Sequence, residues 1–226
     1  MNQLGYVNRY NSVYLYVKSL LEKQVLGKIS NFSCEMNGAV VTKNLKANWR
    51  SDKKTGGGCL FELGSHAINL LLWFFGSPEQ IFGSIKKKVY SQEVDDIVHV
   101  NLLFKDGVMG WLSSNWSDES LRKVNQKFEI HGLNGKIIAT SHFAKIFLKQ
   151  EYEQNGYKLA KGWNTIYHTN IVEPVRFYLR GYEFTTQLDD FIDAIVQKRA
   201  SERNSFSSGL ETDRVIHTIN QNSMEI

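Results

Sequence analysis

The sequence predicts an α+β fold in which a large, mainly antiparallel, open β-sheet carries helices packed on one face. Short runs of alternating apolar and polar residues, separated by turn signals, are typical of antiparallel strands. Longer stretches repeat their apolar residues every three or four positions, which is typical of helices with one buried face. The strand candidates are residues 28–36, 80–90, 96–104, 108–116, 123–131, 136–140 and 143–150.

The first helix is predicted close to the N-terminus. Asn11 or Ser12 can cap it, and Leu26-Gly27 is expected to end it. The strand that follows alternates, so its apolar residues are expected to face a core. The apolar positions are Val13, Leu15, Val17, Leu20 and Leu21 in the helix, and Phe32, Cys34 and Met36 in the strand.

A hairpin is predicted over residues 96–116. Lys105-Asp106-Gly107 joins its two strands, and the Asp-Gly pair supplies the positive φ that such a turn requires. Alternation turns Val98 and Val100 towards the core and His99 the other way. His99 is therefore expected on the sheet surface and not in catalysis.

The last third of the chain is predicted as an irregular segment followed by two helices. The aromatic and polar side chains of residues 151–182 either line a carbohydrate-sized pocket or pack an insertion or a subunit contact. The helix at 183–198 is expected to bury an apolar stripe and to expose Asp189, Asp190 and Asp193. Ser208-Gly209-Leu210-Glu211 fits a capping box for the final helix. The residues expected to face inward are Phe184, Leu188, Phe191, Ile192 and Ile195, then Leu210, Val215, Ile216 and Ile219.

Size and composition predict a globular protein with an ordinary core. The 226 residues, 42% of them hydrophobic, suffice for one large domain or a domain and a half. Neither a membrane span nor secretion is expected, because Glu62, His66 and Asn69 interrupt the longest apolar run and the N-terminus lacks a signal-peptide pattern. Cys34 and Cys59 are too few and too unpatterned for a disulfide framework or a zinc site, so they are expected as reduced thiols in a cytoplasmic protein.

The net charge of +4 makes the chain mildly basic. Lys86-Lys87-Lys88 is the only dense cluster, and its place in an alternating strand favours a solvated strand end or edge protection. Nucleic-acid binding is disfavoured because the basic residues are not gathered on one face with aromatic platforms. The positive excess also suits an acidic ligand, such as a nucleotide cofactor or a nucleotide-linked sugar.

The stretch from Thr55 to Gly76 carries the strongest functional signal. Three consecutive glycines at 56–58 cost backbone entropy, which indicates positive φ or a close approach of backbone at that point. A helix is predicted after them, and Glu62 and His66 lie four residues apart on one face of it. The carboxylate can orient the imidazole as a general acid/base. The alternative is structural: a glutamate stabilised by the helix dipole beside a histidine that binds a loop carbonyl.

A second polar group precedes the glycines, in the segment Asn48-Trp49-Arg50-Ser51-Asp52. Arg50 offers planar donors and Trp49 a flat apolar surface, a combination that suits a sugar or an acidic substituent. The same residues are equally compatible with a tryptophan core anchor beside a surface arginine.

The motif in this stretch, GGG-x-L-x-(acid)-x-G-x-H-x-x-(Asp/Asn) followed by an apolar run and Gly-x-Pro, resembles the substrate domain of the glucose-fructose oxidoreductase/inositol dehydrogenase/MocA family. Glu62 and Asn69 stand where the family usually has aspartate, which bears on proton relay and substrate choice. Both ends of the chain also resemble the family, so residues 1–226 are expected to form a single domain of the family's C-terminal type. The matching residues are Gly5, Tyr6, Arg9, Tyr10, Leu26, Gly27, Ile29, Gly56, Gly57, Gly58, Leu60, Glu62, Gly64, His66, Asn69, Gly76 and Pro78.

The resemblance implies roles for these residues in an NAD(P)-dependent oxidoreductase that acts on a sugar, cyclitol or nucleotide-sugar hydroxyl. It implies His66 as the catalytic acid/base and Glu62 as its orienting partner. It implies a small-molecule substrate and a homodimer or tetramer formed through the sheet face. The remaining implied contacts are Trp49, Arg50, Asn69 and Arg9 with substrate, and Gly57 and Gly58 with cofactor.

Two parts of such an enzyme are absent from the sequence. No Gly-x-Gly-x-x-Gly turn between a strand and a helix occurs, and the family's catalytic lysine has no counterpart, because Glu22-Lys23-Gln24 falls within the first helix. NAD or NADP is therefore expected in the full-length enzyme, while this chain alone is expected to bind no cofactor and to be inactive. A non-catalytic sugar-binding or dimerisation module is the alternative. A metal site at Glu62 and His66 is disfavoured for want of a second ligand pair.

Overall fold

The computed structural model describes residues 1–40, 49–154, 156–200 and 203–226. Asn48, which the sequence groups with Trp49 and Arg50, lies outside the described residues. The chain forms two compact units, of which the first comprises Met1–Ile29 and Ile130–Glu211 and the second Ser30–Glu129 and Thr212–Ile226.

The described residues form helices and strands in a mixed order. The helices are α1 (Ser12–Glu22), α2 (Ser65–Phe75), α3 (His168–Ile171), α4 (Tyr182–Val196) and α5 (Phe206–Asn222). The strands are β1 (Ile29–Asn37), β2 (Pro78–Lys87), β3 (Ile97–Phe104), β4 (Met109–Asn115), β5 (Asn125–Gly132), β6 (Gly135–Thr140), β7 (Phe143–Leu148), β8 (Tyr152–Gln154), β9 (Tyr157–Leu159), β10 (Gly162–Tyr167) and β11 (Met224–Glu225).

The strands confirm the predicted α+β class with its mainly antiparallel sheet. Nine of them follow the order β10-β7-β6-β5-β1-β4-β3-β2-β11, and β8 and β9 pair separately. The pairs of β2 with β3, β3 with β4, β6 with β7 and β7 with β10 are antiparallel, whereas β1 runs parallel to β4 and β11 parallel to β2. Strand β5 contains residues of both units, since residues 125–129 belong to the second unit and residues 130–132 to the first.

In the second unit, α2 packs its aromatic side chains against strand residues. The ring centroid of Phe75 lies 5.2 Å from that of Phe32 and 5.5 Å from that of Phe104. The ring of Phe74 lies 5.4 Å from that of Phe128. These contacts join α2 to β1, β3 and β5, and they explain why the alternating apolar residues of those strands are buried.

In the first unit, α1 packs on β6 and β7. Its predicted cap is confirmed, because the Asn11 side chain accepts hydrogen bonds from the N–H groups of Val13 (3.0 Å) and Tyr14 (3.4 Å). The helix ends at Glu22, four residues before the predicted stop. The reason is local: Gln24 adopts a positive φ of 52°, which a continuing helix does not allow.

The hairpin is confirmed in detail. Asp106 and Gly107 have φ values of 62° and 79°, as the Asp-Gly turn requires. Val98 and Val100 are buried, while His99 is half-buried with its ring centroid 5.6 Å from that of Trp111. The segment 151–182, in contrast, is more regular than predicted, since it contains β8, β9, β10 and α3.

The prediction for the apolar face of α4 is wrong. Leu188, Ile192 and Ile195 are 46–52% exposed, whereas the buried side is formed by Thr185, Gln187 and Ala194. Polar anchors hold the helix on this side, because Thr185 Oγ1 donates to the carbonyl of Phe177 (2.8 Å) and Gln187 Nε2 to that of Leu4 (2.6 Å).

Two further expectations about charged and capping residues need correction. Asp190 is not part of a solvated face, since it accepts hydrogen bonds from the Tyr10 hydroxyl and from Arg199, both at 2.6 Å. The last helix begins at Phe206, where Ser205 Oγ accepts the N–H of Ser208 (3.3 Å), so the capping residue lies three positions earlier than predicted. Leu210 is consequently 51% exposed, while the predicted inward positions Val215, Ile216 and Ile219 are buried.

The lysine cluster at the end of β2 is also not simply solvated. Lys86 is 7% exposed, and β11 pairs with β2 along this edge. Cys34 and Cys59 are both free, as predicted, and both are buried.

Within the stretch Lys53–Phe75, the most apolar 18 residues have a mean hydropathy of 1.3, so the stretch is long and apolar enough, by length and composition alone, to cross a membrane. The polar residues Glu62, His66 and Asn69 were expected to make this stretch too polar for a membrane span, and by this measure they do not. Within the protein, 72% of its most apolar window is buried, as in the core helix of a globular domain.

Candidate functional site

The triple glycine fixes the backbone in front of α2. Gly56 and Gly58 have φ values of 80° and 112°, which side chains rarely tolerate. At Gly57 a Cβ would lie 2.3 Å from the carbonyl oxygen of Arg50 and 2.8 Å from that of Asp52. Both predicted reasons for glycine, positive φ and close approach, are therefore confirmed.

The glycines tie down the loop that carries Trp49 and Arg50. The N–H of Gly57 donates to the carbonyl of Asp52 (2.9 Å), and that of Gly58 donates to the carbonyl of Arg50 (3.0 Å). The spaces beside Gly57 and Gly58 are thus filled by this chain's own atoms. Internal packing explains these glycines, and a contact with cofactor stays a prediction.

Arg50 and Glu62 form an ion pair that the sequence did not predict. Nε and Nη2 of Arg50 each lie 2.9 Å from Oε1 of Glu62. The Arg50 guanidinium also lies 4.8 Å from the ring centroid of Trp49, which is 48% exposed. Trp49 is therefore not a core anchor, and the group presents an aromatic face, guanidinium donors and a carboxylate together.

A π-helical turn, Leu60–Gly64, precedes α2 and carries Glu62. The sequence predicted a regular helix here. Such turns occur often at functional sites, because they shift the side chains that follow relative to an ordinary helix. Here the turn lies directly before His66, which is the second residue of α2.

His66 is half-buried, so part of the residue remains accessible to solvent. Burial lowers its pKa from the ordinary value near 6.5, and the nearby Glu62 charge partly opposes this effect. The imidazole is therefore neutral at neutral pH and able to accept a proton. Glu62 acts on His66 through its charge, while its described hydrogen bonds go to Arg50.

Asn69 and Arg9 occupy buried structural positions. Asn69 is 1% exposed, and its Nδ2 donates to Thr212 Oγ1 (3.0 Å), which joins α2 to α5. Arg9 belongs to the first unit, where its Nη1 donates to the carbonyl of Arg203 (2.6 Å). Burial lowers the pKa of Arg9 to about 10. For both residues, a substrate contact stays a prediction.

Asp95 is a residue that the sequence analysis missed. Its carboxylate Oδ2 accepts the N–H of Leu60, the first residue of the π-helical turn, at 2.8 Å. Its carbonyl accepts the N–H of Cys59 at 2.8 Å. A Cβ on Gly58 would lie 2.8 Å from Asp95 Oδ1. Asp95 therefore anchors the turn on which Glu62 and His66 depend.

We expect Asp95→Ala to lower the free energy of unfolding by about 1–3 kcal/mol, because the buried N–H of Leu60 would lose its acceptor. Asp95→Asn should cost little, since its amide oxygen can still accept that N–H. Burial raises the pKa of Asp95, so its ionised form is disfavoured in the fold and the related stability is lost as pH rises through the folded pKa. Urea unfolding at several pH values measures both effects. An equal loss of unfolding free energy in Asp95→Asn and Asp95→Ala would contradict this account.

We expect Gly57→Ala to destabilise the protein by about 1–3 kcal/mol, because its Cβ would overlap backbone oxygen atoms that cannot yield without moving the Arg50 loop. Gly5→Ala is the matched control, since nothing lies within 4 Å of the position of its Cβ. Thermal unfolding compares the two variants. Equal melting temperatures would show that the close approach at Gly57 is not required.

Among the residues that the structure describes, no group of three or more His, Cys, Asp or Glu side chains is placed to hold a metal ion. The side chains of the site themselves offer three kinds of contact. Trp49 and Arg50 can bind a polar ring, Glu62 supplies a fixed negative charge, and His66 can move a proton.

The chain matches one known protein family over more than half of its length. The family model described as GFO/IDH/MocA C-terminal domain matches residues 14–138. The NADP(+)-dependent scyllo-inositol 2-dehydrogenase IolW of Bacillus subtilis is 26% identical over 131 residues, which are 58% of this chain and 35% of that protein. Oxidoreductase P35 of Formosa agariphila is 29% identical over 140 residues, 59% of this chain and 41% of that protein.

Solved structures share the fold. A levoglucosan dehydrogenase in complex with NADH and levoglucosan superposes with a TM-score of 0.76 at 20% identity, covering 96% of this chain and 62% of that chain. An aldose-aldose oxidoreductase of Caulobacter crescentus in complex with glycerol gives 0.74 at 18% identity, covering 97% and 60%. This chain thus spans less than two thirds of the length of these proteins.

Proposed function

Because the chain belongs to the GFO/IDH/MocA family of oxidoreductases, we propose that it supplies the substrate-binding and oligomerisation side of an NAD(P)-dependent enzyme. The substrate is a sugar, a cyclitol or a nucleotide-linked sugar that loses hydrogen at a hydroxyl-bearing carbon. The observation that carries this proposal is the group of Trp49, Arg50, Glu62 and His66 around the π-helical turn.

The atoms around Gly57 and Gly58 bear on where the dinucleotide binds. The spaces beside Gly57 and Gly58 are filled by Arg50 and Asp95 atoms, so they form no open cradle for a pyrophosphate. We assign cofactor binding to a part of the protein outside these residues, and we expect this chain alone to be inactive. Bound there, NAD+ or NADP+ would supply the hydride acceptor for the substrate carbon.

The residues of this chain would bind the substrate and move its proton. Trp49 offers an exposed face for the apolar side of a sugar ring, and Arg50 offers donors for its hydroxyl groups. His66, neutral at neutral pH, would take the proton of the reacting hydroxyl. Glu62 would hold Arg50 in place and stabilise the imidazolium that forms.

The test is to express the chain together with the sequence encoded upstream of Met1 and to measure NAD+ and NADP+ reduction. Suitable substrates are scyllo-inositol, glucose, levoglucosan and UDP-N-acetylglucosamine. We expect reduction with at least one class, and none with the 226-residue chain alone. A dinucleotide fingerprint missing upstream, together with no reduction of either cofactor, would contradict the proposal and favour a non-catalytic sugar-binding module.

Oligomerisation through the sheet is supported by the outward face of the second unit. Strand register aligns Phe82, Asn101 and Trp111 in one row across β2, β3 and β4. Phe82 is 50% exposed, and Met109 in the same unit is 58% exposed. Apolar side chains in such a row suit contact with a second copy of the chain.

We expect the wild-type chain to be a dimer or tetramer in light scattering after size exclusion, and Phe82→Asp with Met109→Asp to be a monomer. The buried carboxylates would cost more than the interface gains. Gln92→Asp, in an exposed loop, is the control and should leave the mass unchanged. A monomeric wild type at micromolar concentration would contradict this part of the proposal.

A further inference from the structure

The second unit contains a cavity of about 420 Å³ that the proposed site does not use. This volume is in the range typical of small-molecule sites. The cavity lies beside Gly57 and Phe61 but is lined by neither Glu62 nor His66. Its charged and polar lining consists of Lys53, Lys86, Lys88, Glu93, Asp95, Asn220 and Glu225.

Lys86 is the central feature of this cavity. Its side chain is 8% exposed, and its ammonium lies 2.9 Å from Asn220 Oδ1 and 3.2 Å from a carboxylate oxygen of Glu225. A buried ammonium requires a negative partner, because desolvation of an unpaired charge is costly. The fold therefore maintains a position for an anionic group inside the cavity.

The other two lysines act on the same position. Lys86 lowers the pKa of Glu225 most strongly, through its hydrogen bond and its charge, and Lys53 and Lys88 lower it further. Three positive side chains thus favour a negative charge where the Glu225 carboxylate lies. An external carboxylate or phosphate would find the same potential there.

Glu225 belongs to a weakly held element. β11 is short: it pairs with β2 through Met224 and Glu225, and the N–H of Ile226 adds a hydrogen bond to the carbonyl of Lys86 (3.0 Å). The Glu225 side chain is half exposed. Its neighbours Met224 and Ile226 are 65% and 64% exposed, so little apolar surface is buried when this segment lies on β2. Its displacement would leave Lys86 facing the cavity.

The remaining lining specifies the rest of a ligand. Phe61 and Val94 form an apolar side, while Glu93 and Asp95 are acceptors for hydroxyl groups. We propose that this cavity binds a small hydroxylated carboxylate or phosphate, whose anionic group replaces the Glu225 carboxylate beside Lys86 and whose hydroxyl groups face Glu93 and Asp95. This inference does not depend on the oxidoreductase function.

The experiment is isothermal titration of the chain at low ionic strength with glycerate, glycerol 3-phosphate and inorganic phosphate. Glycerate and glycerol 3-phosphate separate a carboxylate site from a phosphate site, and inorganic phosphate shows what the hydroxyl groups add. We expect Glu225→Gln to tighten binding about tenfold, because the competing internal charge is removed. Lys86→Met should abolish binding.

Lys87→Met is the matched control, because Lys87 lies next to Lys86 in β2, is exposed and does not line the cavity. It should change the Kd by less than twofold. Lys88→Met, which does face the cavity, should weaken binding severalfold and keeps the test valid if Lys86→Met fails to fold by circular dichroism. No binding to wild type or Glu225→Gln, equal weakening by Lys87→Met and Lys88→Met, or unchanged affinity in Glu225→Gln would overturn the proposal.

Discussion

Replacement of His66 by glutamine is expected to lower kcat by about 10²–10⁴-fold in the longer, cofactor-binding protein, because general base catalysis at the reacting hydroxyl would be lost. Glutamine can hydrogen-bond to the hydroxyl but cannot take its proton. KM should change far less, since Trp49 and Arg50 would still bind the substrate. Steady-state kinetics with the most active substrate measures the changes in kcat and in KM separately.

The pH profile separates this role from a structural one. Burial lowers the pKa of His66, so the imidazole is protonated only below the ordinary value near 6.5. For substrate oxidation, kcat/KM of the wild type should therefore fall as pH drops through that lowered pKa. This decrease on the acid side of the pH profile should be absent in His66→Gln. His99→Gln, a half-buried histidine of β3, should keep it. An unchanged acid limb in His66→Gln would show that another group titrates.

Removal of the Asp96 carboxylate is expected to cause the largest loss of stability. Oδ2 accepts the N–H groups of Val89, Tyr90 and Ser91 at 2.6–2.8 Å, and Oδ1 accepts Ser91 Oγ (2.5 Å) and Trp116 Nε1 (2.6 Å). Asp96→Ala would leave these donors without their acceptor, at a cost of about 4 kcal/mol. Asp96→Asn should cost about 2 kcal/mol, because its amide group would face the Trp116 N–H.

Urea unfolding at neutral pH measures this loss, with Asp118→Ala as the control. The Asp118 carboxylate accepts exposed hydrogen bonds from the N–H and hydroxyl of Ser120, so its removal should cost less than about 1 kcal/mol. Burial alone would raise the pKa of Asp96, but its hydrogen bonds with Ser91 and Trp116 lower it below 3.8. This contribution to stability is present above the unfolded pKa and is lost as pH falls through the folded pKa. An acid transition identical in wild type and Asp96→Asn would contradict the assignment.

Local sequence signals predicted the parts of the fold that local physics determines. The Asp106-Gly107 turn, the Asn11 cap and the glycines at 56–58 all depend on φ values or hydrogen bonds within a few residues. Apolar periodicity likewise located α2 and the strands. These features need no knowledge of distant partners.

The predictions that were wrong or missing concern contacts between residues that are distant in sequence. In α4 the period identified an apolar stripe, but Gln187 binds the carbonyl of Leu4 and turns another face inward. The roles of Asp95 and Asp96 were not predicted because each carboxylate binds a group that is distant in sequence. Leu60 lies 35 residues from Asp95, and Trp116 lies 20 residues from Asp96. The ion pair of Arg50 with Glu62 was not predicted because the two residues lie 12 positions apart, and no local pattern connects them.

The most direct test of the proposed site is the ¹³C-labelled histidine NMR spectrum of the longer protein with reduced cofactor, recorded before and after addition of the sugar that it oxidises. These 226 residues contain six histidines, and substitution of each one assigns its Cε1–H signal in that spectrum. We expect the His66 signal to shift on sugar binding and those of His99 and His217 to stay. An unmoved His66 signal, with the sugar bound in this complex and oxidised in a parallel assay with NAD+ or NADP+, would contradict the account.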